Sequence, residues 1–444
     1  MSRVLRLVVV SVVMAACSAA VAVAQVQSSR GNVAGPLGVA PPDPNAPHML
    51  NLNLGVAEGY DSDVQSQVGS VNQDTPRIDS FYSELSASGD YRWQGQRVEF
   101  GASGASTVRY FQSLDELRNI GESAGVGVSA QLAPRTTLFV NGSAAYSPSY
   151  LYGLFPTLGE PAPGDAIASA PDYGVTSQTS YSYGGVVRLM RALSARDALS
   201  FAGDLSHTNF VQETEFQRDF NNYGGQASYI RTLSAHSTLS VAYQYRRGQL
   251  GYGRFEDTAE NGLGAGMQLT KQISATRKLI FGFNGGASAV AAPDAPASER
   301  QSGHFYQGVG DVSVALDFGQ SWQIRGACQR GVQYLAVLRD PVVTSGFSTA
   351  VDGLLSGRVL FTASAGYSTG VSAFSLNSST AFTTYTGVVR VSRAATHTLS
   401  AFAEYLFYYY DFRGSLQLQP GLPPQLQRNV ARVGLTLWLP VIGR

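Results

Sequence analysis

Leu239-Ser240-Val241-Ala242-Tyr243-Gln244-Tyr245-Arg246 decides how this chain reads. Its odd positions are apolar or aromatic, and its even positions are small or polar. A period of two marks a β-strand with two unlike faces, whereas a helix repeats near 3.6. The same alternation returns along the chain. Val98, Phe100 and Ala102 alternate with Glu99, Gly101 and Ser103. Leu279, Phe281 and Phe283 alternate with Gly282 and Asn284, and Val433, Leu435, Leu437 and Leu439 with Arg432, Gly434 and Thr436. Helical periodicity is almost absent from Leu50 onward.

Two kinds of punctuation separate these runs. Short polar turns recur at Leu132-Ala133-Pro134, Leu193-Ser194-Ala195, Leu233-Ser234-Ala235, Ile273-Ser274-Ala275 and Val391-Ser392, the last four spaced by about 40 residues or a simple multiple of it. Between them lie longer segments: 62–77, 112–118, 148–178, 212–219, 250–259, 291–302, 337–344, 371–378 and 413–426. Short turns at one end and long connections at the other predict an all-β fold, a transmembrane antiparallel up-and-down β-barrel of about 18 strands (16–18). Propeller blades also repeat at about this period, but these runs are too long for blade strands. They suit a tilted membrane span, which needs about 9–11 residues.

Composition agrees. Only 14% of the 444 residues are charged, the net charge is +0, and Lys271 and Lys278 are the only lysines. That excludes the clustered basic footprint of a nucleic-acid binder. Aromatics at 11% exclude wholesale disorder, and 2 cysteines exclude a disulfide framework. Residues 1–24 read as a signal peptide. Arg3 and Arg6 precede an apolar stretch, and Ala22-Val23-Ala24 offers a cleavage site. Met14-Ala15-Ala16-Cys17 is a competing lipoprotein site. Pro36, Pro41, Pro42, Pro44 and Pro47 mark 25–48 as a Pro-rich periplasmic linker, leaving 49–444 as the barrel.

Trp93, Trp322 and Trp438 flank short turns or end the last strand, which assigns them to the periplasmic membrane interface. The even position of Trp438 matches the inward set of its strand. Tyr60, Tyr82, Tyr110, Tyr146, Tyr245, Tyr306, Tyr334 and Tyr408 to Tyr410 gather at the opposite ends, as a second girdle.

The whole span after the leader resembles a Gram-negative outer-membrane β-barrel. Gly59-Tyr60-Asp61-Ser62-Asp63-Val64 is similar to the Tyr-Asp-x-Asn-Val segment of β-barrel porin families, some associated with exopolysaccharide gene clusters; Asp63 stands where Asn is commoner. The alternating last strand resembles the segment read by the outer-membrane assembly machinery, although Pro440 to Arg444 extend past it. The resemblance implies a location in outer-membrane lipid or lipopolysaccharide, with periplasmic export components as further partners if a polymer is exported.

With the apolar set facing lipid, the lumen is expected to be lined by Glu84, Asp90, Arg92, Glu99, Arg109, Asp204, Arg246, Asp311, Asp317, Arg325, Arg390, Glu404 and Arg432, with glutamines and small residues between. A barrel of this size is too wide to fill with wall side chains alone. The connection 148–178 carries Glu160, Asp165 and Asp172 and no basic residue, so it is expected to narrow the pore and disfavour anions. Catalytic patterns are poor. Gly366-Tyr367-Ser368-Thr369-Gly370 matches a nucleophile elbow, but no helix follows it. His48, His207, His236, His304 and His397 lack metal-ligand spacing, and Asp61 with Asp63 fall short of a calcium loop. Gly262-Leu263-Gly264-Ala265-Gly266 lacks the helix of a phosphate loop. The expected function is a porin-like channel for small polar solutes or for polysaccharide export, without catalysis, metal or cofactor. A structural or adhesive barrel with a plugged lumen is the alternative, with a barrel hydrolase behind it.

Overall fold

The computed structural model describes residues 47–64, 79–112, 118–147, 179–211, 219–250, 257–291, 305–319, 321–334, 341–373, 382–412 and 425–442. The signal peptide, nearly all of the linker, and segment 148–178 with Glu160, Asp165 and Asp172 lie outside them. The described elements are strands. β1 (His48–Asp61), β2 (Ser80–Gln94), β3 (Val98–Phe111), β4 (Arg118–Ala133), β5 (Thr136–Ser147) and β6 (Ser180–Ala192) come first. β7 (Asp197–Phe210), β8 (Phe220–Ser234), β9 (Ser237–Leu250), β10 (Asp257–Ser274), β11 (Arg277–Ala291) and β12 (Phe305–Phe318) follow. β13 (Trp322–Gln333), β14 (Val342–Ser356), β15 (Val359–Ser372), β16 (Phe382–Ala394), β17 (Leu399–Phe412) and β18 (Gln425–Ile442) complete the wall. β1 begins at His48, which the sequence assigned to the linker; its ring meets the Tyr91 hydroxyl at 2.9 Å.

Each strand pairs antiparallel with its sequence neighbours, and β1 also pairs with β18, so the 18-stranded sheet closes on itself. Closure removes the open edges that would otherwise recruit other chains. The shortest strands have 12 residues. At about 3.4 Å per residue and a tilt near 45°, such a strand spans roughly 28 Å, the thickness of a bilayer's hydrocarbon layer.

The two faces have opposite chemistry. Outward positions carry Leu54, Val56, Phe81, Leu85, Phe201, Leu205, Leu263 and Val433, with Leu263 62% and Phe81 61% exposed. Water does not tolerate an apolar belt that encircles a molecule, whereas lipid does. The turns between β2 and β3, β4 and β5, β8 and β9, and β10 and β11 are short, as read. Gly319 sits at φ 70 between β12 and β13, a left-handed turn conformation that glycine adopts without a Cβ clash.

Candidate functional site: the charged lumen

Alternation sends one side chain in two inward, and pairing stacks charges on adjacent strands. Glu84 lies opposite Arg109, Arg390 opposite Glu404, and Glu404 opposite Arg432. Their side chains meet inside. Arg109 Nε donates to Glu84 at 2.7 Å, and Arg432 Nη1 reaches the same carboxylate at 2.9 Å. Arg432 Nε donates to Glu404 at 2.7 Å, and Arg390 Nη1 at 3.3 Å. The result is an Arg–Glu–Arg–Glu–Arg ladder from β3 to β16. It crosses β1 between Gly59, opposite Arg432, and Ala57, opposite Glu84, two small residues that leave room for Arg432 to span to β2. Each carboxylate has two guanidinium partners, which offsets desolvation that one partner would not cover. Phe402 packs below, its ring centroid 4.0 Å from the Arg390 guanidinium carbon.

The remaining predicted lining residues also fall on the inward set. Asp90 accepts from Asn51 at 2.9 Å, and Arg92 pairs with Glu99. Asp311 accepts from Asn284 at 3.3 Å, and Asp317 from Gln323 at 2.9 Å. Arg325 pairs with Asp352 at 2.6 Å. Asp204 lies beside Gly224 of β8, and Arg246 lies 3.9 Å from Glu260. Positive and negative groups thus alternate around the wall, and no arc of the described lumen carries one sign alone.

The structure adds inward groups that sequence reading passed over. Asp61 and Arg428 form a fork, with Arg428 Nε 2.7 Å and 2.9 Å from the two carboxylate oxygens, and Arg428 Nη1 donates to Tyr408 at 2.8 Å. Arg428 is 1% exposed and Asp61 1%. Ser62 donates its backbone N–H to Asn429 O at 3.0 Å, and its hydroxyl accepts from Asn429 N at 2.9 Å. The Gly59–Val64 segment therefore fastens the first strand to the last. Glu260, 1% exposed, accepts from Ser288 at 2.6 Å. It sits just past a stretch read as a loop, so its inward parity was hidden.

The aromatic residues require corrections. Trp93 and Trp322 lie on the outer face at the short-turn end, Trp322 against Gly353 and Phe361. Trp438 faces inward opposite Asn53 and is 3% exposed, so it belongs to the lumen and not to the lipid interface. Parity decides this: it alternates with Leu437 and Leu439, which face out. Tyr60, Tyr110, Tyr146, Tyr245 and Tyr306 face outward as expected. Tyr82, Tyr408 and Tyr410 face inward and, with Phe111 and Phe382, are at most 2% exposed. On this arc the inward aromatics are packed away from solvent.

The Gly366–Gly370 segment runs straight within β15, so the strand–turn–helix of a nucleophile elbow is not formed. Ser368 Oγ lies 2.6 Å from Thr384 Oγ1. His207 faces outward, stacked on Tyr183 and 2.6 Å from Asn221.

Fold and lumen together define a closed, up-and-down antiparallel β-barrel with an apolar exterior and a polar, charge-balanced interior. No family model and no curated protein matches the chain. Among solved structures it is similar to OccK11 (OpdR) of Pseudomonas aeruginosa, at 13% identity over 93% of this chain and 99% of that one, TM-score 0.42. It is also similar to OccK2 (OpdF) of the same organism, solved in complex with glucuronate, at 10% identity over 89% and 98%, TM-score 0.42. A BenF-like porin from Pseudomonas fluorescens Pf-5 matches at 10% identity over 89% and 99%, TM-score 0.43.

Proposed function

We propose that this chain is an outer-membrane channel passing small polar solutes by diffusion through its lumen. One observation carries the reading: the inward set bears the Arg109–Glu84–Arg432–Glu404–Arg390 ladder while the outward set carries an apolar belt. Guanidinium and carboxylate groups of both signs compete for a solute's hydroxyls and charges, so neutral and zwitterionic solutes suit this wall better than ions of one sign. Export of a polysaccharide is less favoured, because the inward aromatics of the outer half have little free ring surface for a polymer. Delivery by the 1–24 leader, insertion by the outer-membrane assembly machinery, and narrowing by the acidic 148–178 segment belong to the same proposal.

The test is single-channel recording of residues 25–444 refolded into a planar bilayer. Discrete, reproducible steps with weak ion selectivity are expected. A barrel verified as folded that never conducts refutes the channel and leaves a structural surface barrel.

A further inference from the structure

β12 and β13 diverge toward the end of the barrel that carries the long connections. Their described pairing stops at Gly310↔Arg330, although β13 continues to Gln333. From Gly331 to Gln333 its described partners are on β14 alone, Thr344 to Val342. Val332 and Val343 fall on the outward set of their strands, with Ile324 and Phe347, yet they are 3% and 1% exposed while Ile324 and Phe347 are 40% and 47% exposed. Val342 and Thr344, on the inward set, are 0% and 4% exposed as well, so both faces of this strand end are covered, as they are when it turns in from the wall.

The direction of this turn is fixed by its contacts. Arg246 Nη1 of β9 lies 3.5 Å from the carbonyl oxygen of Val332. The Tyr334 ring lies against Gly248, where any Cβ would collide with it. Arg246 and Gly248 are on the inward set of β9, and β10, β11 and β12 stand between β9 and β13 in the wall. The contact therefore runs through the lumen. Val290, inward on β11, packs with Val332, Val343 and Ala373, and Tyr334 and Val371 pack against this cluster. Arg246 is itself held, 3.9 Å from Glu260, whose other oxygen accepts from Ser288 at 2.6 Å.

We infer that residues 331–334 and 341–344, seated on β9 and β11, set the aperture of the channel, and that Arg246 is the positioning residue fixing them there. This rests on the channel reading above. The rim so formed carries valines, the Tyr334 ring and a neutralised Arg246–Glu260 pair. It selects by size and by polarity, and admits small solutes without net charge in preference to ions.

The experiment records single channels from the refolded barrel and from Tyr334→Ala, Arg246→Gln and Arg246→Lys, each checked for folding by its urea midpoint. Tyr334→Ala is expected to raise conductance by about 1.5-fold or more, because a side chain leaves the narrowest ring. Arg246→Gln is expected to add open-state noise that Arg246→Lys largely removes. Separately, Tyr334→Cys in a Cys328→Ser background is treated with a charged methanethiosulfonate reagent, which should lower conductance by about half or more if the position borders the aperture. A conducting wild type whose variants conduct identically, or a Tyr334→Cys barrel that does not react or reacts without effect, overturns the aperture and leaves the channel standing. A silent wild type opened by Tyr334→Ala supports the aperture in a closed form. Silence from all the folded barrels overturns both.

Discussion

Replacing Arg428 by Met should destabilise the barrel more than replacing any residue of its outer face. The guanidinium makes a fork with Asp61 and a bond to Tyr408 inside a site where both charged side chains are at most 2% exposed. Without it, the Asp61 carboxylate keeps one described donor, the backbone N–H of Asp63 at 3.1 Å. Stranding a buried charge in this way costs about 3–5 kcal/mol. Asp61→Leu strands the guanidinium and should cost a similar amount. The double variant strands nothing, and apolar groups of similar volume are often neutral in such sites, so its cost should be only about 1–2 kcal/mol. The coupling energy is then roughly 4 kcal/mol or more, well beyond the additivity expected of independent sites. Equilibrium urea unfolding from lipid vesicles measures it. With a slope of about 2–3 kcal/mol/M, Arg428→Met should lower the midpoint by roughly 1–2 M. A shift under about 0.3 M, or a double variant as unstable as the two singles added, refutes the reasoning that the fork is a buried, mutually dependent pair.

Other outcomes follow from the wall and its interior. Arg432→Glu places a third carboxylate between Glu84 and Glu404, and reversal potentials should show cation preference rising by about 2–5-fold. Deleting 155–172 should raise single-channel conductance and weaken any cation preference; unchanged values would remove this segment from the pore. Gly286→Val directs a side chain into the backbone of Leu263 and Gly264 on β10, which cannot yield as a flexible side chain would. Its unfolding free energy should fall by about 2 kcal/mol, within the usual range for overpacking.

How far the sequence could be read depended on parity. A period of two identifies strands and divides each into two sets, so the barrel, its strand number and the inward positions of Glu84, Arg109 and Arg432 were legible. Pairing between strands was not, and the ladder needs the small Ala57 and Gly59 where Arg432 crosses β1. Parity also fails at strand ends. Glu260 was hidden by a boundary placed a few residues late, and Val332 and Val343 hold outward positions by count while the strand end turns in from the wall. Abundance misled in another way. Aromatic residues near a strand end suggested a girdle, but Tyr82, Tyr408 and Trp438 belong to the opposite set, and their burial follows from that single-residue phase.

The Asp61–Arg428 fork joins residues 367 apart in sequence. The strand made first thus waits for the strand made last, and neither can satisfy its buried charge beforehand. A chain cut short before Arg428 would keep an open sheet edge and an unmatched Asp61 carboxylate. The same fork that steadies the completed barrel therefore ties the burial of the first strand's carboxylate to the arrival of the last strand.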